Sequence, residues 1–526
     1  MVGIAVRAAR RLVLVTGERA ACERWVLRQL VTTDSADVLW VAASRPSSGI
    51  AAIPAEHAGR YLGGECRLLV LNMFDGLHPD AFAALPGTLR GGGDCVVLAP
   101  PLADWAGFVD PDCGRFCGYQ FTARDMRGLF LDRLQRIWRT HSAVLAVTPD
   151  ARPVLRPAPP AAQELTLNQD QEAAVAAVQR VALGHARRPL VISADRGRGK
   201  STALGIAAAR LLLAGWARVT VVAAHRRAVA TLFAHAQRAA GLDSRQVADT
   251  AIGDGWLCFR LPSDCVADAR EPLGLVLVDE AAAIPVAVLT KLVQHTNRLV
   301  FASTVHGYEG SGRGFELRFR ERLTLSMPQW RELRLRAPVR WAPNDPLEAL
   351  TNTAFLLDTD LVDLSPRRAG VDMAIAKLDA AALVADEPLL REVFGLLVSA
   401  HYQTRPSDLR QLLDNPAVEL WVARQGNAVV GVLMALIEGD LDRVMADRVA
   451  AGERRPRGHL LPQSLAVHAG LEDILRCRVL RVQRLAVHPQ RRRQGVATRL
   501  IASVADWALS ARFDLLGCAY GADPPL

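Results

Sequence analysis

The residues just before Ser201 have the types and spacing of a loop that binds phosphate groups. From Pro189 to Ala208 the sequence reads PLVISADRGRGKSTALGIAA: an apolar run, a turn rich in Gly and Arg, then small residues typical of a helix. In such a strand, loop and helix, backbone N–H groups surround phosphates while a lysine reaches the terminal ones. Gly197, Gly199 and Lys200 fit this pattern, and the Ser201 hydroxyl is placed to hold Mg²⁺.

Two details qualify this phosphate loop. The first motif position, normally Gly, is Ala194. Lys200 is one of three lysines in a chain with 63 Lys and Arg residues, so lysine stands here although arginine is the usual basic residue of this sequence. A slim point charge suits a phosphate loop better than a planar guanidinium. We therefore predict a nucleotide site rather than an ordinary Gly-rich turn.

A second motif, which is acidic, follows the phosphate loop by about eighty residues. Gly274–Ala283 reads GLVLVDEAAA, an apolar strand that ends in two acids. In P-loop ATPases the first acid binds Mg²⁺ through water and the second polarises the attacking water. Asp279 and Glu280 are the candidates for these two roles, with Ser201 and Asp279 as the magnesium residues.

Other residues of this region are candidate nucleotide contacts. Gln171 opens a helix some thirty residues before Lys200, a position from which an amide side chain can read an adenine edge. Ser303 and Thr304 follow an apolar run and are candidate sensors of the terminal phosphate. Arg340, predicted to end a short strand, is a candidate for stabilising transition-state charge. A solvated surface residue is the alternative for Gln171 and for Arg340.

A second phosphate-binding pattern lies near the C-terminus. Arg492, Gly495 and Ala497 fit R/Q-x-x-G-x-G/A, the pyrophosphate loop of GNAT acyltransferases. The glycine lets the backbone approach the phosphates, and the helix N-terminus that follows faces them. The preceding strand edge, Leu485–Val487, is expected along the pantetheine of coenzyme A. The alternative is a solvated, Arg-rich start of a helix.

These motifs are placed by a multi-domain α/β chain of 526 residues. Short apolar runs alternate with helical patterns over residues 1–155, which predicts a mostly parallel sheet. We find no catalytic or ligand-binding motif in this part of the sequence. A proline-rich linker separates this domain from a RecA-like P-loop ATPase domain at 161–370. Residues 371–526 contain a Gly-Asn hairpin, a long strand and a helix, as expected for an acyltransferase domain.

Composition narrows the class of protein. The net charge of +9 permits a nucleic-acid partner, and half the residues are hydrophobic, as in globular domains. Nine scattered cysteines without a CxxC pair favour free thiols in a reducing cytoplasm and disfavour a structural zinc. No window approaches 18 uninterrupted apolar residues, so we expect no membrane span. The oligomeric state is left open.

An ATPase followed directly by an acyltransferase resembles the tRNA(Met) cytidine acetyltransferases of the bacterial TmcA type. The resemblance runs from the first strand to about Gly521. In order, the stretches that carry it are RGRGKS (Arg196–Ser201), VDEAAAIP (Val278–Pro285), GYEGSGRGF (Gly307–Phe315), AHYQTRPSDLR (Ala400–Arg410), RRPRGHLLPQSLA (Arg454–Ala466) and LAVHPQRRRQG (Leu485–Gly495).

The resemblance implies acetyl transfer from acetyl-CoA to N4 of the wobble cytidine of elongator tRNA(Met), with hydrolysis of ATP or GTP. It implies nucleotide contacts from Gln171, Arg340 and the loop Arg196, Gly197, Arg198, Gly199, Lys200, Ser201 and Thr202. It implies acetyl-CoA contacts from Leu485, Ala486, Val487, Arg492, Arg493, Gln494, Gly495, Val496, Ala497 and Thr498. Ala194 is usual for such proteins.

The acceptor side of the reaction is less defined. The N4 amine of cytidine is a poor nucleophile, so general-base help is expected; His401 and Tyr402 are the candidates, with His488 as the alternative. The resemblance also implies a further helix, two strands and a tRNA-binding tail beyond Leu526. An incomplete GNAT domain, and hence an RNA-stimulated ATPase or RNA-binding remnant without transferase activity, is therefore the second hypothesis.

Overall fold

The protein is described here by a computed structural model. It covers residues 8–30, 34–46, 50–152, 154–159, 166–242, 247–267, 273–304, 312–364, 373–400 and 404–520, without the side chains of 267 and 312–318. Three sheets follow one another along this part of the chain, each flanked by helices, which confirms the prediction of a multi-domain α/β protein. Among the described helices, none is both long enough and apolar enough to cross a membrane.

The first sheet is entirely parallel, as predicted. Its strands are β1 (Arg11–Thr16), β2 (Val38–Val41), β3 (Ala52–Ile53), β4 (Leu68–Asn72), β5 (Asp94–Ala99) and β6 (Val144–Val147), and its helices are α1 (Arg19–Gln29), α2 (Pro79–Ala84) and α3 (Leu129–Thr140). The strand order is β3-β2-β4-β5-β1-β6. The central strands β4 and β5 are buried on both faces, which explains their continuous apolar runs.

The second sheet carries the first phosphate loop. Its strands are β7 (Leu190–Ala194), β8 (Arg218–Val222), β9 (Thr250–Ile252), β10 (Gly255–Arg260), β11 (Leu275–Val278), β12 (Leu299–Thr304) and β13 (Arg331–Leu335). The order is β13-β7-β12-β11-β8-β10-β9, parallel except between β9 and β10. The helices are α4 (Gln169–Leu183), α5 (Lys200–Leu213), α6 (Ala230–Ala239), α7 (Pro262–Ala267), α8 (Val286–His295), α9 (Gly312–Ser326) and α10 (Pro346–Phe355).

One strand prediction in this region is wrong. Arg340 does not end a strand, because β13 stops at Leu335 and the chain then runs without regular structure to α10. This segment carries prolines at 338 and 343, whose missing N–H groups disfavour a sheet ladder. The apolar side chains of α10 pack into the core of the first sheet rather than that of the second.

The third sheet lies in the region predicted to be an acyltransferase domain, and we refer to it as the acyltransferase-type unit. Its strands are β14 (Met373–Leu378), β15 (Val418–Gln425), β16 (Ala428–Gly439), β17 (Arg478–Val487) and β18 (Leu515–Cys518), and its helices are α11 (Ala380–Ala385), α12 (Glu387–Ala400), α13 (Pro406–Asp414), α14 (Arg443–Ala450), α15 (Leu460–Ala469) and α16 (Val496–Ser510). Neighbours pair in numerical order. All pairs are antiparallel except β17 with β18. The predicted Gly-Asn hairpin is the β15–β16 connection.

Two ion pairs with buried arginines join the first and third units. Arg410 of α13 is fully buried, and its guanidinium contacts Asp110 of the first unit at 2.7 Å and Asp414 of its own helix at 3.3 Å. Arg133 of α3 is nearly as buried and pairs with Glu387 of α12 at 2.7 Å. Because a buried guanidinium is stabilised only in a fixed geometry, these pairs define how the two units pack.

Candidate functional sites

The first phosphate loop lies between β7 and α5. Gly197 and Gly199 have φ angles of +75° and +77°, a left-handed conformation that favours glycine. Gly199 is the N-cap of α5, and no side chain caps this end of the helix. The first N–H groups of α5 are therefore available to an anion, in the field of the helix dipole. Thr202 lies in the same first turn.

A hydrogen-bonded chain of three side chains runs through the centre of this site. The buried Lys200 donates from Nζ to Thr304 Oγ1 at 2.9 Å. The Thr304 hydroxyl in turn donates to Glu280 Oε2 at 2.9 Å. The structure thus brings together the predicted lysine, the predicted sensor and the predicted water-polarising acid. Ser303, the other candidate sensor, is buried, and its hydroxyl has no hydrogen-bond partner among the described residues.

Asp279 is fully buried beside these three hydrogen-bonded side chains. Burial, followed by the negative charge of Glu280, raises its pKa to about 6, while Ser201 and Lys200 act in the opposite direction. Its Oδ1 accepts the Glu280 N–H at 3.0 Å, whereas Oδ2 has no hydrogen-bond partner in the described structure. A buried carboxylate oxygen left without a donor, next to a hydroxyl, fits a divalent cation with oxygen ligands.

The Glu280 backbone is strained. Its φ of +47° is unusual for a residue with a side chain and costs of order 1–3 kcal/mol. The hydrogen bond from Thr304 holds the carboxylate in this position. Strain of this kind persists only when surrounding contacts fix it, and it is frequent at functional sites.

Gln171 lies against the phosphate loop but is already engaged. Its Oε1 accepts the Asn168 N–H at 3.2 Å in a capping box, and its Nε2 donates to the Gly199 carbonyl at 3.4 Å. The side chain is buried. The structure therefore places this predicted adenine-reading residue as a support of the loop, with both ends of its amide in use.

The three arginines predicted at the nucleotide contact the first unit or α10. Arg340 donates to the carbonyls of Gly63 and Gly87, both at 3.0 Å, and its Nε pairs with Glu65. Arg198 donates from Nη1 to Glu348 of α10 at 2.7 Å. The Arg196 side chain passes over Gly87. A role at the phosphates requires Arg340 to leave its present partners.

In the acyltransferase-type unit, β17 loses its neighbour where the predicted pantetheine edge begins. β17 pairs with β18 only from Val479 to Val482, whereas its pairing with β16 continues to Val487. A bulge at Gln483 interrupts the β16 ladder at the same level. In the described structure, the β18-facing edge of Leu485–Val487 is therefore free to pair with an extended ligand.

The second phosphate loop connects β17 to α16. Gly495, the N-cap of α16, has a φ of +77°, no side chain caps the helix, and open space surrounds the position of a Cβ. Arg492, Arg493, Gln494 and Thr498 are exposed around it. The side chains of Arg492 and Arg493 form no hydrogen bond or ion pair with a described residue. Val496 is buried and packs against Gly431 of β16, which fixes the start of α16 on the sheet.

Of the candidate general bases for acetyl transfer, only His488 lies within the described residues. His401 and Tyr402 lie outside the described residues; after them, Thr404 is buried and its Oγ1 accepts from Arg484 at 3.0 Å, next to the β17 bulge. His488 is buried, with Nε2 3.0 Å from the Val362 carbonyl and Nδ1 accepting the Gln490 N–H. Burial lowers the pKa of His488. With both ring nitrogens in use, His488 supports the second phosphate loop.

Family models match the chain in three successive parts. The model for tRNA(Met) cytidine acetyltransferase TmcA, N-terminal, matches residues 3–149. The model for RNA cytidine acetyltransferase NAT10/TcmA, helicase domain, matches residues 191–358. The model for GNAT acetyltransferase 2 matches residues 392–515. The three matches contain β1–β6, the first phosphate loop and the second phosphate loop respectively.

Similar proteins extend over nearly the whole chain. A tRNA(Met) cytidine acetyltransferase TmcA of Nitrosococcus halophilus is 40% identical over 527 residues, covering 98% of this chain and 70% of its own length. A protein of that name from Vibrio cholerae is 35% identical and covers 92% of this chain and 65% of its own length. Among solved structures, an aminoglycoside acetyltransferase from an uncultured soil metagenomic sample covers 28% of the chain at 15% identity and a TM-score of 0.20, too distant to support an argument. These findings give no support to the ATPase-remnant hypothesis.

Proposed function

Because the chain belongs to the TmcA family of tRNA(Met) cytidine acetyltransferases, we propose that it acetylates N4 of the wobble cytidine of elongator tRNA(Met). Acetyl-CoA is the donor, and ATP or GTP is hydrolysed in the process. The observation that carries the proposal is the presence of two separate phosphate loops in one chain, at Lys200 and at Gly495, each on an uncapped helix N-terminus.

At the first loop, Lys200 contacts the terminal phosphates and the N–H groups of α5 surround them. Ser201 and the unpaired oxygen of Asp279 would hold Mg²⁺, which neutralises phosphate charge when bound. Glu280 orients the attacking water. Thr304 is hydrogen-bonded to both Lys200 and Glu280. Because these two partners act on the terminal phosphate and on the attacking water, Thr304 responds when the terminal phosphate is lost.

At the second loop, Gly495 lets the backbone approach the pyrophosphate of acetyl-CoA. The N–H groups of Val496, Ala497 and Thr498 face it, and Arg492 with Arg493 supplies positive charge for the remaining phosphate. The pantetheine lies along Leu485–Val487, where the β18-facing edge of β17 is free. The thioester then lies toward the bulge at Gln483.

In the transfer itself, the cytidine N4 attacks the thioester carbonyl, a C–N bond forms and the C–S bond breaks. The N4 proton passes to a base, and coenzyme A leaves as the thiolate, which then takes up a proton to become the thiol. The lone pair of N4 is delocalised into the ring, so alignment of amine and thioester contributes much of the rate. We assign the base to His401 or Tyr402, since the flanking Thr404 contacts Arg484 next to the bulge.

The positive net charge of the chain suits an RNA partner. A net charge of +9 attracts the phosphate backbone of tRNA without specifying a sequence. The cysteines of the described residues are free, and most of them are buried. We place the protein in the cytoplasm, where tRNA, acetyl-CoA and ATP are available together.

The test is transfer of a radiolabelled acetyl group. The chain is incubated with acetyl-CoA labelled in the acetyl group, ATP, Mg²⁺ and elongator tRNA(Met), and the digested nucleosides are separated. We expect label in N4-acetylcytidine, and none when the wobble cytidine is replaced by uridine. Label that persists in the uridine-substituted tRNA, or that is absent from both, contradicts the proposal.

A further inference from the structure

We propose that Trp341 and Glu348 are positioning residues that hold the phosphate loop in the shape that binds nucleotide. We further propose that the first unit of the chain supports them through Arg10. Neither residue belongs to a phosphate-binding motif. The inference rests on the proposed nucleotide hydrolysis at Lys200, and it gives a role in that reaction to a unit in which we found no chemistry of its own.

The Trp341 ring lies directly against the phosphate loop. A Cβ placed on Gly197 would be 2.4 Å from Cη2 of this ring, so the ring fills the place that a side chain at this position would need. The Val339 N–H donates to the Gly197 carbonyl at 2.8 Å. Together these contacts hold Gly197 in its left-handed conformation.

Glu348, in the first turn of α10, uses both carboxylate oxygens for this purpose. Oε1 accepts from Arg198 Nη1 at 2.7 Å, and Oε2 accepts from Trp341 Nε1 at 3.1 Å. One side chain therefore joins the loop to the ring that supports it. Because Arg198 is buried and Glu348 is only 21% exposed, this ion pair is largely shielded from water, which strengthens its electrostatic attraction.

Arg10, from the first unit, completes the support. Its guanidinium lies over the Trp341 ring, 3.6 Å from the ring centroid, and donates to Asp345 Oδ1 at 2.9 Å. Asp345 is the N-cap of α10 and accepts the Glu348 N–H at 2.9 Å. All of these groups except Glu348 are almost fully buried. A residue near the N-terminus thus fixes a ring and a helix end that both contact the loop.

The energetic consequence concerns nucleotide binding. A loop held in its binding shape loses little conformational freedom when phosphates enter, whereas a loosened loop must be ordered at that moment. The side chains that act on the bound nucleotide, Lys200 and Glu280, form no hydrogen bond or ion pair with Trp341 or Glu348 in the described structure. Loosening the support should therefore raise the KM for nucleotide much more than it lowers kcat.

The experiment measures steady-state ATP hydrolysis by the full chain, together with binding of a non-hydrolysable ATP analogue. The variants are Trp341→Leu, Trp341→Phe, Glu348→Gln and, as a matched control, Trp330→Phe, since Trp330 donates to Thr324 in the same unit. We expect Trp341→Leu and Glu348→Gln to raise KM and the analogue Kd about fivefold or more, which is about 1 kcal/mol. kcat should stay within about twofold, and the Kd of acetyl-CoA should be unchanged.

Two further results decide the matter. Trp341→Phe keeps the ring against Gly197 and should recover most of the lost affinity, while Trp330→Phe should match the wild type. If Trp341→Leu and Glu348→Gln lower only the active fraction and leave KM unchanged, the segment is ordinary packing and the proposal is overturned. The Lys200→Ala variant distinguishes an error in the positioning role from an error in the proposed function. If this variant still hydrolyses ATP, the nucleotide site is wrongly assigned, and the positioning role of Trp341 and Glu348 is wrong as well.

Discussion

Replacing Arg410 by methionine should destabilise the junction between the first and third units severely. Methionine fills a similar volume but removes the guanidinium, which is fully buried and contacts Asp110, Asp112 and Asp414. The Leu77 carbonyl also loses its donor at 2.7 Å. Removing one partner of a buried ion pair costs about 3–5 kcal/mol, because the remaining charge is left uncompensated.

The same cluster predicts the pH dependence of the loss. Burial raises the pKa of both Asp112 and Asp414, although the positive charge of Arg410 acts in the opposite direction on each. A carboxyl group with a raised folded-state pKa favours the folded state at low pH, and this contribution is lost as the pH rises through that pKa. Without Arg410 these pKa values rise further. The deficit of Arg410→Met should therefore be largest near neutral pH and shrink toward pH 5.

Differential scanning calorimetry of the two proteins measures the effect. For units of 150–250 residues, about 3–5 kcal/mol corresponds to a fall of roughly 6–20 °C in the first unfolding transition. The matched control is Arg476→Met, which breaks an exposed pair with Asp473 and should shift the transition by less than about 2 °C. The reasoning is refuted if Arg410→Met unfolds within 2 °C of the wild type, or if its deficit is the same at pH 5 and pH 7.

Three further changes test the two phosphate loops. Lys200→Ala should abolish nucleotide hydrolysis while leaving the melting transition in place; hydrolysis at the wild-type rate rules out the loop assignment. Thr304→Val should lower the kcat of hydrolysis about 10- to 100-fold, the equivalent of one hydrogen bond to a charged group; equal loss in Thr304→Ser speaks against the hydrogen-bonded chain. Gly495→Glu should weaken acetyl-CoA binding at least about tenfold by blocking and repelling the pyrophosphate. Gly426→Glu, at another open turn where the glycine has a positive φ, is the control for backbone strain. Acetyl-CoA affinity is measured by calorimetric titration, and equal affinity of the two variants contradicts the assignment of the second phosphate loop.

The sequence was sufficient for the strands and loops that hold phosphate. β7 and β11 are buried on both faces, so each appears as a continuous apolar run directly before its motif. Three of the left-handed positions in the two loops, Gly197, Gly199 and Gly495, are glycines, which are the strong local signal for that conformation, whereas Arg493 adopts it without this signal. These features depend on neighbouring residues along the chain, and that is why they could be predicted.

Contacts between distant parts of the chain could not be predicted in this way. Arg10 and Asp345 are separated by 335 positions, and no periodicity or motif relates them. Arg340 was expected at the phosphates because of its type and position, but its partners Gly63 and Gly87 are backbone carbonyls, which leave no pattern in a sequence. The adjacent Trp341 packs against Gly197 in the structure, and no sequence pattern relates two residues so far apart along the chain.

The measurement that tests the central claim most directly is the dependence of acetyl transfer on nucleotide hydrolysis. Elongator tRNA(Met) is incubated with the chain and acetyl-CoA, and N4-acetylcytidine is counted by mass spectrometry with ATP, with a non-hydrolysable analogue, and with neither. The account predicts acetylcytidine only with ATP, and none from the Lys200→Ala variant under any condition. Equal acetylation without nucleotide, or by Lys200→Ala with ATP, would show that the two phosphate loops do not serve one reaction.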